Sequence, residues 1–119
     1  MNVVMLRGRL SSEPVVRELA SGSVLMSLEL TTRVDEVASS VPLVWFEPPA
    51  KLDVSSGDEV AVVGTVRRRF YRTGGSTQSR TEVVVAHVGR LSDKRSATAQ
   101  RKWIAAAMGA AGVDGLPSS

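Results

Sequence analysis

Residues 67–71, Arg-Arg-Arg-Phe-Tyr, set three guanidinium groups beside two aromatic rings. A guanidinium pairs with anions and lies flat on π-faces, while an aromatic ring stacks on any flat partner. The combination suits a ligand that is both charged and flat. Arg72 follows at once, and a polar gap with Gly74 and Gly75 separates it from Arg80 and the run Thr81–Val85. Two strands joined at that gap would put all these groups on one hairpin, with Arg72 and Arg80 flanking its tip. Alternation sets Arg67, Arg69 and Tyr71 on one face of the first strand. Val60, Val62, Gly64, Val66, Arg68 and Phe70 fall on the other. Phe70 shares the valines' face and is therefore expected to be mostly buried.

Charge points the same way. Residues 1–66 hold five basic and nine acidic side chains, whereas residues 67–102 hold ten basic ones against Glu82 and Asp93. The overall +3 thus conceals a strongly basic segment, the usual footprint of a polyanion partner. Other chemistries find little support. The chain has no cysteine, which rules out disulfides and thiolate chemistry and argues against a structural zinc site. His87 is the only histidine, with no second base, nucleophile or metal cluster placed near it by any motif. No motif pairs two carboxylates, and "SSGD" reads as a turn. The sequence therefore predicts no enzyme, no cofactor and no metal. No apolar run approaches the roughly 18 residues of a membrane span, and no secretory pattern opens the chain. The expectation is a soluble, cytoplasmic, nucleoid-associated protein.

The elements that must position these residues are strands. At 119 residues the chain suits one domain. "NVVMLRGRL" alternates around Arg7 and Arg9, "SSEP" slows it, and "VVRELASG" continues to a turn. "SVLMSLELTTR" is a second strand, "VDEVASS" a polar loop, and "VPLVWF" a third strand whose proline suits an edge or a bulge. Trp45 shares the parity of Val41 and Leu43 and is expected in the core; Phe46 shares that of Val44. "EPPAKLDVSSG" is broken by prolines and holds at most a short helical turn, with Leu52 and Val54 covering apolar surface. "DEVAVVGTVRRRFYR" is a long fourth strand, "TGGSTQS" a flexible tip, and "RTEVVVAHVGRL" the returning fifth. Beyond Leu91 the Ala-rich "SDKRSATAQRKWIAAAMGAAG" is a helix or a disordered tail, capped by Ser96 or Thr98 and ended by Gly109 and Gly112. The predicted fold is all-β. It is a five-stranded Greek-key barrel of the OB type over residues 1–92, with a short or proline-broken α segment between strands three and four and a basic tail over 93–119. Another small sandwich or barrel fits the same periodicity.

The stretches "NVVMLRGRLSSEPVVRELASGSVLMSLEL" and "GDEVAVVGTVRRRFYR…RTEVVVAHVGRL" resemble the opening and the closing hairpin of the bacterial single-stranded DNA-binding protein family. The resemblance covers roughly residues 2–91. It departs in the middle: the connection after the third strand lacks the family's usual helix, and "TTRVDEVASS" lacks its usual aromatics. The chain ends "GVDGLPSS", where the family usually carries an acidic tip that recruits repair proteins. The resemblance implies an OB-fold that binds single-stranded DNA with little sequence specificity, in DNA replication, recombination or repair. It also implies a homo-oligomer, dimer or tetramer. Partner recruitment through the usual tip is not expected.

Two of the family's stacking positions are matched, by Phe46 and Tyr71. Base stacking on such rings contributes on the order of 1–3 kcal/mol per base. The expected nucleic-acid-binding residues are Arg7, Arg9, Phe46, Arg67, Arg69, Tyr71, Arg72 and Arg80. Arg101, Lys102 and Trp103 belong to a tail expected to dock on the barrel or on a neighbouring subunit. Two other readings share the fold: a primosome-type protein-interaction subunit, and an RNA-binding protein, since stacking platforms accept either sugar.

Overall fold

The structure is a computed structural model that describes residues 2–50, 53–91, 101, 102, 105, 106 and 109. Six strands run β1 (Val4–Leu10), β2 (Val15–Glu18), β3 (Val24–Val34), β4 (Val37–Phe46), β5 (Glu59–Thr73) and β6 (Ser76–Arg90). The expected first strand is thus two. It breaks over Ser11–Pro14, and its halves take different partners: β1 lies along β5, and β2 along the start of β3. In sheet order the strands are β1-β5-β6-β4-β3-β2, and β1 also pairs with β3 at Arg9↔Thr31 and Leu10↔Leu30. That last pairing closes β1, β5, β6, β4 and β3 into a ring, with β2 as an added edge. All pairings are antiparallel except β4 with β6. The architecture is the OB-fold.

Alternation explains the core. Met26, Leu28 and Leu30 of β3, Leu43 and Trp45 of β4, and Val60 and Val62 of β5 all point inward and are buried. Each such aliphatic side chain contributes roughly 1.5–3 kcal/mol. In β6 the inward parity changes, from Val83 and Val85 to Val88. The register accounts for this. Val63 pairs with His87 but Gly64 pairs with Val85, so Ala86 is an extra residue that bulges. Next to that bulge a glycine is required, because a Cβ on Gly64 would run into the Val84 carbonyl oxygen. Gly8 plays the equivalent part where β1 crosses β3, against the Thr31 carbonyl.

Both hairpins are tighter than the sequence suggests. Asp35 and Glu36, at φ 51° and 66°, make a two-residue turn, and Val34 pairs with Val37. Most of the expected polar loop is therefore strand. Gly74 and Gly75, at φ 58° and 84°, do the same between β5 and β6, whose ladder runs out to Thr73↔Ser76. The expected flexible tip shrinks to two residues, and the hairpin extends beyond the barrel as a two-stranded arm. This corrects the expectation for Phe70. Its parity is that of the valines, but the barrel ends before it, and it is 67% exposed.

The connection from β4 to β5 has no helix among its described residues. Asp58 ties it instead, its carboxylate accepting from the Ser55 N–H at 3.0 Å, while Val54 packs on the core. Leu52 lies outside the described residues. In the tail, Arg101, Lys102, Ala105, Ala106 and Gly109 have helical backbone. Trp103, the expected cap at Ser96 or Thr98, and Gly112 lie outside the described residues.

Candidate functional site

Paired residues in an antiparallel ladder share a face, so the register can be followed across the barrel wall. Arg17 of β2 lies opposite Leu25 of β3, and Leu25 opposite Phe46 of β4. Val44, on the face of Phe46, pairs with Val84 of β6. Two and four residues earlier on β6 stand Glu82 and Arg80, opposite Arg67 and Arg69 of β5. Tyr71 is next on the same side. Five strands thus contribute to one outward face. It is hollowed into a groove of about 520 Å³ lined by Arg17, Arg67, Arg69, Arg80 and Glu82, among others.

The groups on that face are tied to one another. Glu82 is buried at 1% exposure, and its Oε1 accepts from Arg69 Nε at 2.8 Å. Its Oε2 accepts from Arg67 Nη2 at 3.4 Å. The guanidinium carbon of Arg67 stands 5.3 Å from the centre of the Phe46 ring, and that of Arg69 stands 5.6 Å from the centre of Tyr71. The result is a row in the order ring, guanidinium, carboxylate, guanidinium, ring. Flat faces remain available along it, since the rings are 39% and 40% exposed. Two further carboxylates line the groove, and each is engaged. Glu29 accepts from Ser40 Oγ at 2.6 Å, and Glu13 accepts from the Ser56 N–H at 2.9 Å.

The sequence-predicted residues therefore separate. Phe46, Arg67, Arg69, Tyr71 and Arg80 come together. Arg7 and Arg9 do not join them; they line another hollow, of about 510 Å³, with Arg33 and Glu59. There Arg9 Nη2 reaches Glu59 Oε1 at 3.3 Å, a pair exposed enough to contribute little to stability. Arg72 pairs with Thr77 and shares the parity of Arg68 and Phe70, on the opposite face of the arm. Arg17 and Glu82 are groove residues that the sequence does not single out. Arg17 is legible only as a basic residue in the continuation of the first strand. Glu82 was counted merely as one of two acids in a basic segment, and its place between two arginines depends on a register that composition does not encode. His87 lies on β6 beside the bulge, and burial holds its imidazole below the ordinary histidine range.

The first strand begins with a side-chain substitute for a ladder pair. The Asn2 carboxamide accepts from the Val66 N–H at 2.9 Å and donates to the Val66 carbonyl. It thereby anchors the start of β1 just where β5 leaves the barrel.

No family model and no curated protein matches this sequence. Solved structures do match. One is a Plasmodium falciparum SSB in complex with ssDNA, with a TM-score of 0.67 and 21% identity, covering 76% of this chain and 95% of that one. The likeness is one of fold, the OB barrel.

Proposed function

We propose that this chain binds single-stranded DNA with little sequence specificity, by stacking on bases and pairing arginines with phosphates, in replication, recombination or repair. The observation that carries the reading is the row of Phe46, Arg67, Glu82, Arg69 and Tyr71 on one outward face, with its two arginines lining an open groove. Single strands expose base faces that duplexes hide, and every base has one, so a row of flat groups accepts any sequence. Arg17 and Arg80 in the same groove supply charge for the backbone. The fold it shares with a P. falciparum SSB solved with ssDNA supports the same ligand class. A homo-oligomer, dimer or tetramer, and a cytoplasmic, nucleoid-associated location complete the proposal.

Titration against single- and double-stranded oligonucleotides at several salt concentrations tests it. Binding should prefer single strands, and log affinity should fall with log salt by about 0.7 per phosphate contact. Salt-independent affinity or a preference for duplex would overturn the reading. Equal binding of an RNA of the same sequence would widen the ligand class to single-stranded nucleic acid in general.

A further inference from the structure

Glu82 sits under the middle of the groove, and its side chain is wholly hidden from solvent. Its two oxygens are both taken, one by Arg67 and one by Arg69. Each arginine gives Glu82 one nitrogen and keeps further N–H groups, but a phosphate that drew either guanidinium off would strip a partner from a carboxylate that water cannot reach. Leaving such a charge short of a partner is strongly unfavourable. The Arg67 and Arg69 side chains nonetheless stay 41% and 48% exposed. Each guanidinium carbon also stands over an aromatic ring, 5.3 and 5.6 Å from its centre, which places it beside the surfaces a base would stack on. Arg17 and Arg80 line the same groove, and among the described residues neither is held in an ion pair.

Resting on the single-strand reading, we propose that Glu82 is a positioning residue that assigns Arg67 and Arg69 to base stacking and leaves the phosphates to Arg17 and Arg80. The row along the groove then reads base faces, and Glu82 offsets one of its two positive charges. The rim arginines set the salt dependence.

The experiment is a salt titration of the full chain with oligothymidylate. It compares the unaltered protein with Arg69→Gln, Arg69→Lys, Arg80→Gln and Glu82→Gln. Arg80→Gln should reduce the salt slope by about 0.7. Arg69→Gln should keep the slope and weaken binding on the order of five- to hundredfold, the loss of one stacking surface. Arg69→Lys, which keeps the charge but not the plane, should not restore it. Glu82→Gln should steepen the slope by up to about 0.7 for each arginine it releases. If Glu82→Gln does not fold, as read by circular dichroism, the arginine variants carry the test by themselves. A slope loss at Arg69→Gln equal to that at Arg80→Gln, or full affinity in Arg69→Lys, overturns the assignment while leaving single-strand binding intact. Failure of the unaltered protein to bind oligothymidylate removes both.

Discussion

Tyr71 and Phe46 are the rings a base would meet first, and each is only partly covered by an arginine. Tyr71→Ala should lower single-strand affinity by about 1–3 kcal/mol, with the thermal midpoint nearly unchanged because the ring is 40% exposed. Phe46→Ala should act in the same direction but more weakly, since the ring closes the end of a strand as well as the groove. Fluorescence titration and thermal melts on the same samples check both. Early unfolding with undiminished binding would assign either ring to the core. At this scale the period of two was enough to put Arg67, Arg69 and Tyr71 on one face. It failed for Phe70, because parity tells which side a residue takes and not whether anything lies on that side. It was silent on Glu82, whose partners stand 13 and 15 positions away on another strand.

Strands were legible as elements because their valines and leucines alternate between turn residues. Their ends were not. Asp35-Glu36 lacks the glycine usual in such a turn, yet both residues take positive φ and the hairpin closes tightly around them. The bulge at Ala86 was equally hidden, although Gly64 beside it is a trace of it in the sequence. That glycine gives an element-scale prediction. Gly64→Ala places a methyl group against the Val84 backbone, which belongs to a paired strand and has little room to move. The variant should lose about 1–3 kcal/mol, a drop of several degrees in Tm by scanning calorimetry. An unchanged Tm would mean that the β5–β6 ladder is looser at the bulge than its register implies.

Among the described residues, several apolar groups stand uncovered. β2 is a sheet edge with Val15 and Val16 60% and 59% exposed, and the arm presents Phe70. Open edges and exposed apolar groups favour association with further copies. Sedimentation at micromolar concentration should therefore find a dimer or tetramer, and a monomer would refute it. A second expectation concerns the basic tail. Removing residues 93–119 takes away Lys94, Arg95, Arg101 and Lys102. Single-strand affinity should stay the same or fall, with a salt slope shallower by about 0.7 for each phosphate that the tail neutralises. Tighter binding by the truncated barrel would mark the tail as an occluding element.

The closing pairs of the barrel also bear on its synthesis. Asn2 and Val66 bond across 64 positions of sequence, and β1 takes its place between β3 and β5. At the roughly 5–20 residues per second of translation, β1 waits several seconds for β5 to be made. During that time only Arg9 and Leu10 have a ladder partner, in β3, and the rest of the strand is the kind of segment that recruits copies of itself. Arg7 and Arg9 interrupt it at alternate positions, and in the finished barrel both face outward. Charges spaced through an apolar strand disfavour such pairing. Arg7→Val with Arg9→Val should therefore raise the aggregated fraction on expression while leaving the groove as it is.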